Sequence, residues 1–477
     1  MKNYQSFPYK IVITLSLLLT GCNLPKLTQK TINKNVPESF INSKDTLNTA
    51  KIKWKSYFND PYLIALIDTA LSNNQELNIM TQEIKIANNE VRARKGAYLP
   101  FLTIGSGVSS EKVSRYTSQG ASDNITSIRP GKPTPANLPN YLLGMNASWE
   151  LDIWKKLRNS KKSAVHQYLA SVEGKNFMVT NLIAEISSAY YELLALDNQL
   201  EILMQNIEVQ NNALKVVKLQ KIAARVSELA VRKFEAEVLK NQSLQYNILQ
   251  SITETENRIN FLIGGFPKKI PRNSLAYIDI ALDTIHAGIP VQLLENRPDI
   301  RQAEQDLLSA DLNVKTTKAN FYPILLITSG IGLEAFDPKF LIKTPESALF
   351  SIAGSLISPL INRNAIKANY YSANSRQIQA VYNYERSILN AHIEMVNQLS
   401  NLQNSKSSFD LKEKEVDTLN QSIDISINLF KSARADYMEV LLTQRDALIA
   451  KFELVESKMN QLHAKVNIYR SLGGGWN

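Results

Sequence analysis

The sequence predicts a mixed fold: all-α for most of its length, with membrane β-strands, built from two internal repeats and complete only as a trimer. Three observations lead there. Leu99–Gly107 (LPFLTIGSG) and Tyr322–Gly330 (YPILLITSG) look like one element used twice, since with Pro100 set on Pro323, Ala87–Gly107 overlies Ala310–Gly330 without a gap. That repeat is far longer than a solenoid period. Each half then carries apolar residues at three- and four-residue spacing over about 70 residues, a helix of ~105 Å, too long for any compact domain. Each half also carries two alternating segments of about ten residues, enough to cross a bilayer when tilted. Four strands cannot close a barrel, and an open sheet in lipid leaves its edge backbone groups unpaired. Three copies supply twelve strands. The expected assembly is a homotrimeric 12-stranded β-barrel, four strands per subunit, continuous with a hollow bundle of long helices.

The elements follow in order. Lys2 and Lys10 flank a basic start, Ile11–Leu19 is a short apolar core, and Leu19-Thr20-Gly21-Cys22 follows. Residues 1–21 read as a secretory signal, too short to span a bilayer as a mature helix. The only cysteine of the 477 residues sits at the cut site, as in a bacterial lipoprotein box. Cys22 is then the lipidated first residue, and Asn23 after it implies the outer membrane. The alternative is a plain signal peptide with an incidental cysteine. Residues 22–53 are a polar leader.

The first repeat spans 54–275. Asp60-Pro61 opens a helix expected over 61–97, with a possible break near Asn73-Asn74. Pro100 ends it, and the period switches to 2. Strands are expected over 99–112 and 140–151. In the second, Tyr141, Leu143, Met145, Ala147, Trp149 and Leu151 face one side, with the two aromatics where the girdle of a membrane barrel would lie. A half-buried hairpin of a soluble domain is the alternative for this hairpin alone. Ser114–Pro139 reads as an aperiodic loop. Helices are expected over 152–223 and 227–263, stopped by Gly264-Gly265-Phe266-Pro267. Residues 276–290 link to the second repeat, 291–477: helix 296–320, strands 323–335 and 348–359, helices 362–432 and 436–472. Setting Gly354 on Gly144 makes the second loop shorter by about a dozen residues.

The net charge of +10 has no basic run interleaved with aromatics. It reads as solvated helix faces near a polyanionic surface, with nucleic acid excluded as a partner. His166, His286, His392 and His463 are scattered without metal-ligand spacing. No phosphate loop, nucleophile elbow or dinucleotide fingerprint appears. The expectation is no enzyme, no catalytic residues, no metal and no cofactor.

Several stretches carry a family resemblance: DPYLIALIDTALSNNQEL, RARKGAYLPFL, YLLGMNASWELDIW, LLENRPDIRQAE, ANFYPILL and SLGGGW. From Trp54 to Trp476 the chain resembles the TolC family of outer-membrane efflux and secretion ducts, in its lipid-anchored, NodT-like branch. The resemblance implies a trimer whose helical barrel is periplasmic, docked on a periplasmic adaptor (a membrane fusion protein) and an inner-membrane pump, proton-driven or ABC. It implies a passive duct for small molecules in a tripartite efflux system. A duct for polypeptides, or a lipid-anchored coiled-coil scaffold without a pore, are the alternatives. The turns Ala223–Ser227 (Ala223, Ala224, Arg225, Val226, Ser227) and Ala433–Tyr437 (Ala433, Arg434, Ala435, Asp436, Tyr437) fall where the family's adaptor-contacting tip lies. Ala224 and Ala433 stand where the family usually has glycine. Glu439 matches an acidic position at the closed entrance, and with Tyr437 it is a candidate entrance residue; a solvated carboxylate is the alternative. Arg434 or Arg445 is a candidate latch, though surface pairs are worth only about 0–1 kcal/mol.

Overall fold

The computed structural model describes residues 24–40, 47–281, 286–359, 363–432 and 434–476. The expected signal, Cys22 and Ala433 lie outside them. The described residues form two compact units. One holds residues 24–31, Ile86–Tyr168 and Gln305–Val381, and the other holds those of Ile32–Lys85, Leu169–Glu304 and 382–476.

The expected helix 61–97 is two helices, α1 (Pro61–Asn73) and α2 (Gln75–Gly96). Asp60 caps α1, accepting from the Tyr62 and Leu63 amides at 2.8 and 3.3 Å, with Pro61 preset at the first turn. Asn74 leaves the helical region at φ −59°, ψ 127°. Its side chain restarts the helix by accepting from the Leu77 amide at 3.0 Å and donates to Leu262 O at 2.9 Å. The break therefore has a capping amide and a tertiary anchor.

Four antiparallel strands follow: β1 (Phe101–Glu111), β2 (Leu138–Leu151), β3 (Ile324–Ala335) and β4 (Ala348–Ile357), paired in that order. The Ser114–Pro139 loop is more ordered than its composition predicts. It contains a helix, Ser118–Ile125, capped by Thr117, and a small hairpin pairing Ser127–Arg129 with Lys132–Pro133. Elements this short fall below the window of about 11–18 residues over which hydrophobic periodicity is read.

The first long helix, α3, runs Lys156–Ile222 over 67 residues and starts four residues later than expected. The cause is Asp152, whose carboxylate is 1% exposed. It accepts from the Leu157 and Arg158 amides, both at 2.9 Å, and from Arg158 Nε at 3.0 Å. The residues between strand and helix make the connection, with Lys155 at φ 60°. Nearby, Trp154 stacks on Tyr322 at 4.6 Å between centroids and donates from Nε1 to Pro323 O at 2.7 Å.

The remaining helices are α4 (Glu228–Leu262), α5 (Pro298–Ala319), α6 (Asn364–Lys431, 68 residues) and α7 (Tyr437–Ser471). In the second unit, α1, α3, α4 and α7 share one core around Leu63, Ile67, Ile186, Tyr190, Leu193, Ile259 and Leu462, all fully buried. Each such side chain contributes about 1.5–3 kcal/mol by leaving water. The Tyr190 hydroxyl donates to Asp60 at 2.7 Å, so the α1 cap is satisfied from both sides.

Candidate channel site

The register of the sheet sorts its side chains into two faces. Ile104, Met145, Ile331 and Phe350 lie in one row across all four strands, and Tyr141, Leu143, Leu325, Leu333, Ile352 and Leu356 share their face. The opposite face has the rows Thr103–Asn146–Gly330–Ser351 and Gly105–Gly144–Gly332–Leu349. Alternation alone gave the faces of single strands; pairing aligns them into one apolar and one small, polar surface. The apolar face is bare, with Ile104 75% exposed, Ile352 78% and Phe350 84%. A surface of that kind belongs in hydrocarbon. Among the described residues no helix is long and apolar enough to cross a membrane.

The register also corrects the repeat alignment. Gly144 lies on the small face and Gly354 on the apolar face, so they are not counterparts. Ala353 occupies the place of Gly144. The two glycines matched by letter but differ in parity along the strand, and parity decides the face.

The two helical turns share a motif. At the end of α3 the Arg225 amide donates to Gln220 O at 2.9 Å and the Ala224 amide to Lys221 O at 3.0 Å. This is the Schellman arrangement, with Ala224 in the left-handed position at φ 55°. At the end of α6 the Arg434 amide donates to Leu429 O at 2.9 Å, the corresponding bond. Ser227 caps α4 by accepting from the Ala230 amide, whereas Asp436 makes no such bond to α7.

Ion pairs tie the first turn: Lys221 to Glu228 at 2.7 Å and Lys218 to Glu235 at 2.9 Å. Both carboxyls are held below their usual range, chiefly by hydrogen bonds from those lysines. Beneath them Leu214, Val217, Ala230, Val231, Phe234 and Val238 form an apolar cluster that Leu441 of α7 joins. Val226 and Tyr437 pack on it half-buried. Glu439 is exposed in the first turn of α7. Arg445 pairs with its neighbour Asp446 at 3.0 Å and, among the described residues, ties down no other element; Arg434 is exposed.

Residue-level reading missed a clasp. Arg297, with 7% of its side chain exposed, donates to Asp299 at 2.8 and 3.0 Å, to Glu394 at 2.8 Å and to Ser471 O at 2.8 Å. Arg470 donates to Glu394 at 2.9 Å. Burial raises the Glu394 carboxyl, but the two arginines and Ser471 bring it net below its usual range. Trp476 donates from Nε1 to Asn296 O at 3.1 Å and lies under the Arg301 guanidinium at 5.0 Å. Gly473 is at φ 84°, where a Cβ would lie 2.5 Å from Asn296 O, and one at Gly474 would lie 2.5 Å from the Tyr469 ring. Two of the stretches that carry the family resemblance, Leu293–Glu304 and Ser471–Trp476, are thus one structural contact. Nothing in a single sequence says that they touch.

Among the described residues no group of His, Cys, Asp or Glu is placed to hold a metal ion. His166 faces Gln305, His463 faces Ser188 O, and His392 stacks on Phe40.

A sheet apolar on one face and small and polar on the other, joined to paired helices of 67 and 68 residues, defines a membrane-channel subunit. A profile of the family described as outer membrane efflux protein matches residues 66–265 and 289–474. The chain belongs to the outer membrane efflux protein family. It is 26% identical over 432 residues to the solvent efflux pump outer membrane protein SrpC of Pseudomonas putida, covering 90% of this chain and 89% of that one. It is 25% identical over 467 residues to the cation efflux system protein CusC of Escherichia coli, covering 97% of each. Among solved structures it shares its fold with the open state of the MtrE outer membrane channel of Neisseria gonorrhoeae (TM-score 0.82, 22% identity, 95% of this chain and 99% of that one). It also shares it with a membrane protein of Pseudomonas aeruginosa (0.85, 21%, 94% and 99%). The protein is thus an outer-membrane efflux channel component.

Proposed function

We propose that three copies form one passive duct that carries small molecules through the periplasm and across the outer membrane. A periplasmic adaptor and an inner-membrane pump supply the opening and the energy. The observation that carries this reading is the sheet: its apolar face is bare, and among the described residues neither outer edge has a partner strand in one chain. A lipid-embedded edge is intolerable, and a pore-free scaffold has no use for such a sheet. Cys22 is the lipid anchor, and the turns at 223–227 and 433–437 are the adaptor contact. Three copies of Glu439 ring the entrance and favour cations. The relatives named above handle solvents and cations; small-molecule cargo is the class common to both.

Membrane extracts analysed with and without boiling should show a heat-modifiable trimer, and planar bilayers should show discrete conductance steps. A trimer that never conducts, even with Glu439 replaced, sinks the duct reading. Glu439→Gln should move the reversal potential in a salt gradient toward zero cation preference; an unchanged potential removes Glu439 from the pore. Cys22→Ser should abolish incorporation of radiolabelled palmitate, and retained label excludes Cys22 as the anchor.

A further inference from the structure

The excess of positive charge is concentrated in one place. In the stretches that join the sheet to its helices, residues 90–100, 150–162, 311–323 and 358–369, twelve lysines and arginines stand against four aspartates and glutamates. Eight of the chain's ten net positive charges therefore lie there. The loops at the other end of the sheet, residues 111–140 and 334–347, are nearly balanced, with six basic and five acidic residues. All of these segments belong to one compact unit.

Every junction contributes. The last turns of α2 carry Arg92, Arg94 and Lys95, and the end of α5 carries Lys315 and Lys318. Lys155, Lys156, Arg158, Lys161 and Lys162 lie at the start of α3, and Arg363 and Lys367 at the start of α6. Each of the four acids already has a partner: Glu90 with Arg94 at 2.7 Å, Glu150 with Lys156 at 2.6 Å, Asp152 with Arg158 at 3.0 Å and Asp311 with Lys315 at 2.7 Å. Among the described residues the other eight cations pair with no carboxylate, and six of the eight are exposed. Like charges gathered in this way repel one another, and an external anion relieves them.

Place and depth identify the anion. On α5, Lys315 and Lys318 lie four and seven residues beyond Asp311, and on α6, Lys367 lies seven before Asn374 and Arg363 four before that. Those spacings return to one helix face. Asp311 and Asn374 line the cleft that holds leader residues 27–31. The leader follows the proposed anchor Cys22, whose lipid must sit outside the barrel, so this face looks outward. Aromatic rings mark the depth: Trp149 donates from Nε1 to Tyr98 O at 3.1 Å, and Trp154 stacks on Tyr322. Such amphipathic rings sit at headgroup level, and the cations stand beside them.

We infer that this belt binds the anionic phospholipid headgroups of the periplasm-facing leaflet, as a basic ring closed around the barrel by three copies. It rests on the membrane-spanning trimer proposed above and adds the lipid class. The balanced loops at the other end of the sheet offer an anionic surface no such preference.

Native mass spectrometry of purified trimers incubated with phosphatidylglycerol or phosphatidylcholine tests the belt. One cation near an anionic lipid surface is worth about fivefold in affinity, so phosphatidylglycerol should be retained at least tenfold more strongly. Lys318→Gln with Lys367→Gln should remove most of that preference and leave phosphatidylcholine retention unchanged. If that variant does not trimerise, Arg92→Gln with Lys95→Gln gives the same reading. Lys132→Gln with Lys339→Gln and Lys343→Gln, in the loops at the other end, should keep the preference. Equal retention of the two lipids, an unchanged preference in the belt variant, or an equal loss in the loop variant overturns the belt, and conducting trimers then leave the duct standing. Displacement of phosphatidylglycerol by excess inorganic phosphate would make the belt a site for free phosphate and overturn the lipid reading. A natural protein that neither trimerises nor conducts overturns the duct, and the belt with it.

Discussion

Ala224 is a small residue in an expensive conformation. An L-residue in the left-handed region costs about 1–2 kcal/mol relative to the right-handed one, and glycine escapes that cost at the expense of a floppier unfolded chain. Ala224→Gly should therefore stabilise the first turn by about 0.5–1 kcal/mol. Hydrogen exchange of the amides around Arg225 should slow accordingly; faster exchange would show that the turn is not limited by Ala224. The resemblance implied a glycine at this position, and the positive φ shows what alanine does there.

Arg297 is the opposite case, invisible as a contact until the chain is folded. Removing one partner of a buried ion pair costs about 3–5 kcal/mol, because the other charges stay behind unpaired. Arg297→Ala should lower trimer yield and melting temperature together, and Arg297→Lys should not restore them, since an ammonium lacks the planar fork. The clasp has a pH signature. Glu394 is held below its usual range, so its contribution is present above the unfolded carboxyl value, about 4.3. It is lost as pH falls through the lower folded value. The melting-temperature difference between the natural protein and Glu394→Gln should stay constant from neutral pH down to about 5 and vanish only below about 4.

At the scale of elements, the two helical hairpins repeat in length but not in construction. The first has a serine cap, two ion pairs across its helices and an apolar cluster centred on Phe234. The turn of the second has no counterpart of those ion pairs among the described residues. It buries Gln444, 3% exposed, with its side-chain oxygen unbonded. A buried unsatisfied acceptor costs about 1–3 kcal/mol; Gln220 carries one in the first hairpin as well, so it is the missing cap and ion pairs that leave the second hairpin the weaker. Gln444→Leu should slow exchange in the first turns of α7 by roughly tenfold, leaving α4 unchanged. Equal slowing in both would mean that the hairpins open as one. The duplicated plan was legible because helical periodicity is local. The inequality was not, because caps and ion pairs exist only through what they face.

For the whole molecule, the deciding feature is a surface that water cannot accept. Charge on the apolar face of a barrel costs about 2–4 kcal/mol at the bilayer midplane, and lumen positions tolerate it. Ile104→Lys should abolish heat-modifiable trimers, whereas Thr103→Lys, one residue away on the other face, should assemble. Equal behaviour of the two would place both faces in the same environment.

The sequence by itself determined the duplication, the long helices, the four strands and the need for sister chains. Those follow from period, length and the rule that every backbone group must find a partner in lipid. Tertiary structure decided which residues stand side by side: Ala353 rather than Gly354 in the place of Gly144, Arg297 against Ser471, Leu441 on the cluster of the first hairpin. Spacing along a chain fixes the direction of a side chain. Its neighbour comes from a distant segment, and only folding chooses which.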